Sequence, residues 1–274
     1  MIRTAEEVHA VSLKLLQEVD RICKKNNIPY YLCAGTLLGA VRHHNFIPWD
    51  DDVDIQMFRK DFERFAQICE RDLHKDFAFY NPLEDTNYFV DFIPVILYKR
   101  SRLYKEDIQV DVHNHINLDI YIVDNTYDRK WRHRLHIWML GLIYGLAMGH
   151  KKNFNIQKYK GIYKLFVPLM CFLGKKIKLE TIVKWYTNVS AKLNKKTTKH
   201  VTPTNSPPPY MSPKYWYSRI SYEMTELEIA GKKFPAPAGW EELLTLNYDG
   251  KYLELPPEEE RIFKHVRMDE GEIW

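Results

Sequence analysis

From Thr4 to about Lys25 apolar residues recur at helical spacing, with Val8, Val11, Leu15, Val19 and Ile22 on one face. Thr4 followed by Glu7 is a capping-box signature, because the Thr hydroxyl can accept from a first-turn N–H. Asn26-Asn27 and Pro29 end that helix. Tyr30-Tyr31-Leu32-Cys33 reads as a short buried strand closed by Ala34-Gly35, and Thr36 to about Arg42 as a brief helix. After Pro48-Trp49 the period changes. Asp52-Val53-Asp54-Ile55-Gln56-Met57 alternates polar with apolar, the pattern of a half-buried strand. Arg59 to Leu73 is helical again, with Phe62, Phe65, Ile68 and Cys69 together. Two further strands are predicted over 91–98 and 116–123. Strands alternating with helices predict an α/β (α+β) core, one mixed sheet flanked by helices.

The pattern then breaks. Leu135 to Met148 and Ile162 to Leu173 are apolar runs too short to span a bilayer, and cations flank both: Arg129, Lys130, Arg132 and Arg134, then Lys151-Lys152, then Lys175-Lys176. Each run alone reads as a buried helix. With Trp138, Tyr144, Tyr163 and Phe166 beside that fringe, an in-plane or re-entrant element on an anionic membrane surface is the expected reading, and a nucleic-acid partner is not. A Pro-rich loop at 203–213 follows as a candidate active-site wall, then Phe234-Pro-Ala-Pro leading into a short helix near Trp240 to Leu246. Three parts result: a catalytic core at 1–128, a basic helical insertion at 129–200, and a segment at 201–274 that completes the core.

Charge sharpens the division. The whole chain carries 40 Lys or Arg and 36 Asp or Glu, close to balance. Residues 129–199 alone hold seventeen of the bases and one of the acids, Glu180, leaving 23 bases against 35 acids elsewhere. A basic face is thus joined to an acidic body. Cys23, Cys33, Cys69 and Cys171 form no CxxC pair, so buried thiols in a reducing compartment are expected rather than disulfides or zinc. The opening residues lack the basic start and apolar run of a signal peptide, so a cytosolic location is the expectation.

The chemistry concentrates in GTLLGAVRHHNFIPWDDDVDI, Gly35 to Ile55. Asp50, Asp51, Asp52 and Asp54 repel one another unless a cation joins them. On a strand Asp52 and Asp54 share a face, the arrangement a hard Mg²⁺ ion takes with phosphate oxygens. An EF-hand fails, since its required Gly falls at Ile55 and its bidentate Glu at Asp61. Upstream, the strand-to-helix turn at Gly35-Thr36 offers backbone N–H groups and a hydroxyl to a phosphate, and Arg42 a planar fork. His43-His44 lack a partner cluster and suit phosphate contact or capping better than metal ligation. The residues describe a metal-bound phosphate site.

The run from Tyr31 to Ile55, YLCAGTLLGAVRHHNFIPWDDDVDI, resembles the signature of the LicD family of the nucleotidyltransferase superfamily. That pattern has a Gly-Ser-like turn, a D-x-D strand and a third acid on a neighbouring strand. Gly35-Thr36 matches the first, Asp52 and Asp54 the second, and Asp119 in Asn-Leu-Asp-Ile-Tyr-Ile-Val-Asp the third. Tyr121-Ile-Val-Asp124 replaces the usual Phe-Pro-Leu-Asp. Phe234-Pro-Ala-Pro, Tyr248 to Arg261 and His265 match the family's tail.

The resemblance implies a nucleotidyltransferase-like fold and transfer of phosphocholine, or a related phospho-alcohol, from CDP-choline or a similar CDP-alcohol to a sugar hydroxyl. CMP would leave. The acceptor would be a lipid-linked glycan, such as a teichoic acid or lipopolysaccharide precursor, at the inner face of the membrane. Asp52, Asp54 and Asp119 would hold Mg²⁺ (or Mn²⁺), with Asp119 as general base for the hydroxyl. Gly35, Thr36 and Arg42 would grip the diphosphate. Asp50 and Asp51 would orient ligands or meet a choline head. Trp49, Tyr210, Trp216 and Tyr217 are candidates for an aromatic cage. Two rival readings share parts of this logic: a DxD glycosyltransferase using a sugar nucleotide, and a non-enzymatic module binding anionic lipid or nucleic acid.

Overall fold

The computed structural model describes residues 4–87, 89–101, 115–151, 163–206 and 213–263, with the side chains of Tyr163 and Leu165 excepted. Lys152, Tyr210 and His265 lie outside the described residues, as do Ile162 and the middle of the Pro-rich loop. The opening helix, α1 (Ala5–Asn26), forms as its pattern requires. Thr4 caps it, accepting from Glu7 N at 3.2 Å, and Val8, Val11, Leu15, Val19 and Ile22 are all buried. Asn27, in the left-handed region, closes it.

The next elements are β1 (Tyr31–Leu32), α2 (Ala34–His43), β2 (Val53–Phe58), α3 (Arg59–Asp72), β3 (Phe77–Tyr80), β4 (Val95–Tyr98) and β5 (Asn117–Asn125). β4 is shorter than the strand predicted at 91–98. Asp91 turns its carboxylate back to accept from Ile93 N at 2.9 Å, a local bond that competes with the ladder, and Pro94 follows. β5 lies at the centre. β2 runs parallel along one edge, β4 antiparallel to its first residues and β6 (His200–Pro203) antiparallel to its last. β1 and β3 extend the sheet beyond β2 and β4, and β7 (Tyr217–Ser218) beyond β6.

The parallel register sets the acids of the two strands side by side: Asp54 pairs with Asp119, Ile55 with Ile120 and Gln56 with Tyr121. Val53, Ile55, Met57, Leu118, Ile120 and Ile122 therefore point to the other face, where they are buried in the main core with α1 and α3. The polar face is approached by the tail, through the hairpin β8 (Met224–Ile229) and β9 (Lys232–Pro237) and helix α7 (Trp240–Asn247). Tyr222 donates to Gln56 Oε1 at 3.2 Å across that face.

Between β5 and β6 stand α4 (Lys130–Ala147), α5 (Tyr163–Gly174) and α6 (Leu179–Ser190). They build a second hydrophobic cluster with Phe89 and Phe92, in which Phe92 stacks on Tyr186 at 3.8 Å. The two clusters are bolted together at the end of β5. Asp124, fully buried, accepts from Arg59 Nε and Nη2 at 2.6 Å each, and also from Asn194 Nδ2 and Thr204 Oγ1. All four cysteines are buried and free.

Candidate active site

Two chain features position the strand acids. Ala34, not Gly35, takes the left-handed conformation (φ 46°) and starts α2 one residue after the β1 edge. Thr36 then sits in the first turn, almost fully buried, and its Oγ1 accepts from Asp54 N at 2.8 Å. Cys33 N donates to Asp54 O at 3.3 Å. Both backbone groups of Asp54 are thus held by the β1–α2 junction, so the Thr36 hydroxyl expected to meet a phosphate first fixes an acid. Gly35 has no room for a Cβ because the Asp50 carboxylate lies against it. Asp50 itself is anchored by its N–H to Ile47 O and by its carbonyl, 2.9 Å from His9 Nε2.

Asp50, Asp51 and Asp52 each bring a carboxylate oxygen within 4.8 Å of the others, a group that does not include Asp54 or Asp119. Asp54, largely buried, and Asp119, half-buried, stand side by side on β2 and β5. Asn117, two residues before Asp119 on the same face, donates its amide to the Asp119 carboxylate. The neighbours register the same field. Burial, then Asp54 and Asp119, push the Cys33 thiol far up; burial, then Asp54, Asp119 and Asp52 among others, do the same to the Tyr121 phenol. Tyr248 of the tail is raised by burial first, then by Asp50 and Asp54. Both phenols stay protonated around the acids. A donor set made of carboxylates alone suits a hard divalent cation such as Mg²⁺ or Mn²⁺, and not zinc or copper.

Comparison with known proteins shows what the chain is similar to. Residues 27–139 match the family model described as LicD/FKTN/FKRP, nucleotidyltransferase domain. The chain is 24% identical over 275 residues to the lipopolysaccharide cholinephosphotransferase LicD of Haemophilus influenzae, covering 96% of this chain and 97% of that one. Over 60 residues it is 37% identical to human ribitol 5-phosphate transferase FKRP, a stretch covering 20% of this chain and 12% of that protein. An uncharacterized Rickettsia typhi protein is 48% identical over 63 residues, 23% of this chain and 20% of that protein. Residues 27–139 form a LicD-family domain.

Within and around that LicD-family domain the remaining predicted residues fall into two groups. Arg42 lies beside Trp49, 5.9 Å from the ring, and Arg261 approaches the same ring at 5.4 Å. Arg42 Nη1 donates to Tyr252 O and Glu254 O, and Nε to His43 Nε2. It fastens the tail to α2 next to the site. Burial, with Arg261 contributing, lowers its pKa. His44 adopts φ 51° as the C-cap of α2, as expected of a capping residue, and its carbonyl accepts from Ala230 N. Of the aromatic-cage candidates, half-buried Trp216 stacks on His200 at 3.5 Å and donates to Tyr127 O, while Tyr217 is buried and donates to Asn247 Oδ1. The sequence pattern does not single out Asn117, Tyr121 or Arg261 as site residues, and it offers Tyr248 only as part of a tail motif.

Proposed function

We propose that this LicD-family protein transfers phosphocholine, or a related phospho-alcohol, from a CDP-activated donor to a sugar hydroxyl of a lipid-linked cell-surface glycan. The observation that carries the reading is the in-register pairing with Asp119 of Asp54, two residues along the chain from the Asp50, Asp51 and Asp52 carboxylate cluster. The relatives support it, since their names describe cholinephosphate and ribitol 5-phosphate transfer.

In this reading the N-terminal turn of α2, with Gly35 and Thr36, directs backbone N–H groups at the donor diphosphate, and Arg42 supplies positive charge beside it. The acceptor oxygen attacks the phosphorus bearing the alcohol, the bond to the CMP oxygen breaks, and CMP leaves with that electron pair. Asp119, oriented by Asn117, takes the hydroxyl proton. Asp52, Asp54 and Asp119 would hold Mg²⁺, which when bound neutralises charge on the reacting phosphate oxygens. Asp50 and Asp51 complete the acidic rim. Their convergence on Asp52 favours a second ligand set, Asp50, Asp51 and Asp52, for the same ion.

A thermal-shift screen of CDP-choline, CDP-ribitol, CDP-glycerol and UDP-sugars with Mg²⁺, followed by CMP release, tests the reading. A CDP-alcohol should stabilise the chain, and Asp54→Asn and Asp119→Asn should abolish CMP release without changing the melt. Full activity in both purified variants refutes the site; stabilisation by UDP-sugars alone indicates a glycosyltransferase. Asp50→Asn against Asp54→Asn in a Mg²⁺ titration separates the two ligand sets.

A further inference from the structure

Helices α4, α5 and α6 are apolar on two sides. Their inner sides fill the second cluster, through Ile137, Leu140 and Tyr144, Cys171, and Ile182 and Tyr186. Their outer sides face solvent. On α4, Trp131, Leu135, Trp138 and Met139 fall at i, i+4, i+7 and i+8, one continuous stripe, with Trp138 62% exposed. On α5, Phe166, Leu169, Phe172 and Leu173 form a second stripe, with Phe172 58% exposed, and Trp185 of α6 is exposed as well.

These side chains cannot simply turn inward. α4 and α5 cross in close contact: a Cβ on Gly149 would collide with Cys171 O, and one on Gly174 with Leu146 O. His150 Nε2 lies 3.0 Å from Gly174 O and 2.9 Å from Ile177 O, tying the end of α4 to the end of α5. The pair is locked with its outer stripes displayed.

Charge identifies the occupant. Arg129, Lys130, Arg132 and Arg134 are exposed at the start of α4, and Lys175, Lys176 and Lys184 around α5 and α6. The one acid between 129 and 199 is Glu180. Arg132 lies 5.2 Å from the Trp131 ring and Lys176 4.5 Å from Phe172, so cations stand beside the exposed aromatics of both helices. A protein interface concentrates apolar residues at its centre and is depleted of lysine. Aromatics and aliphatics fringed by Lys and Arg match the boundary of an anionic bilayer, where rings sit at headgroup level and cations meet lipid phosphates. Among the described residues no helix is long and apolar enough to cross a membrane. α5, with 12 residues, reaches about 18 Å against the ~30 Å hydrocarbon core. We propose that the outer face of α4, α5 and α6 docks this protein in the plane of an anionic lipid surface.

The full chain should co-sediment with vesicles in which about one-third of the phosphatidylcholine is replaced by phosphatidylglycerol, and far less with pure phosphatidylcholine. Two variants separate the contributions: Trp138→Ala with Phe172→Ala, and Arg132→Glu with Lys176→Glu. All four side chains are exposed, so both variants should keep the parent's melting temperature. Each should lower vesicle affinity at least about tenfold, and added salt should weaken the parent. Failure of the parent to pellet, or equal pelleting by parent and both variants, overturns the proposal. So does a parent dimer in sedimentation velocity that Trp138→Ala with Phe172→Ala converts to monomer while pelleting is unchanged; that result assigns the face to a second copy.

Discussion

Thr36→Val replaces a hydroxyl by a methyl of nearly the same shape at a position 1% exposed. The Asp54 N–H that the hydroxyl accepts at 2.8 Å then has no acceptor there. Stranding a buried donor costs about 1–3 kcal/mol, and the added apolar group returns roughly 0.8, so a net loss of up to about 2 kcal/mol results. For a chain of this size that lowers Tm by up to roughly 8 °C. Thr36→Ser keeps the acceptor and loses a methyl, a cost of about 1 kcal/mol by itself. The two variants should therefore melt within a few degrees of each other yet differ in turnover. With Asp54 loosened, Val should lose on the order of 10²-fold in CMP release, while Ser stays within a few-fold of the parent. Melting curves and steady-state CMP release on both proteins decide it. Full turnover in Thr36→Val, or equal losses in both, refutes the positioning role. A raised KM for the CDP donor with unchanged kcat would return the hydroxyl to the donor phosphate.

Asn117→Ala should leave stability within about 1 kcal/mol but lower CMP release, because Asp119 loses its orienting amide; unchanged CMP release with an unchanged melt argues against that role. Asp124→Ala leaves the Arg59 guanidinium buried without its partner and should cost about 3–5 kcal/mol in urea unfolding. Arg59→Met with Asp124→Leu should recover much of that loss. Burial, then neighbouring His136, pushes the His133 pKa down to about 4. Its unfolded value is about 6.5, so between pH 6.5 and 4 the unfolded chain binds a proton the folded chain refuses. Stability should fall by up to about 3 kcal/mol as pH drops through that window, and a urea midpoint in His133→Gln should be flatter there.

Local chemistry at close spacing was readable directly. Thr4 with Glu7 announced the cap of α1, and the alternation from Asp52 to Met57 announced β2, because cap and strand are decided within six residues. The partners that complete the site lie far along the chain. Tyr248 senses Asp50 and Asp54 from the far end of the fold, and Arg59 meets Asp124 across 65 residues. The β8–β9 hairpin was hidden for a different reason. Pro235 and Pro237 argue against a strand, yet among the described residues β9 pairs with β8 alone, so an unladdered edge can tolerate their missing N–H groups. The turn needs positive φ at both Ala230 and Gly231, and the alanine masks it. α6 carries Thr181, Ile182, Val183 and Val189, β-branched residues of weak helix propensity, and is held by burial of Ile182, Val183 and Tyr186. The single-residue difference at the start of α2 moved the special backbone conformation from Gly35 to Ala34, which no glycine rule would find.

The pairing of Asp54 with Asp119 also guards assembly of the sheet. Slipping β2 by one residue against its neighbours would turn Asp54 and Gln56 into the greasy side under α1 and α3 and expel Val53, Ile55 and Met57 to water. An ionised carboxylate in that interior costs several kcal/mol, a penalty that the correct alignment avoids. An acid of the proposed site is thus also an alignment key for folding. Substituting Asp54 with leucine would remove the proposed site acid and the proofreading together, whereas asparagine retains a polar side chain that still resists the wrong alignment.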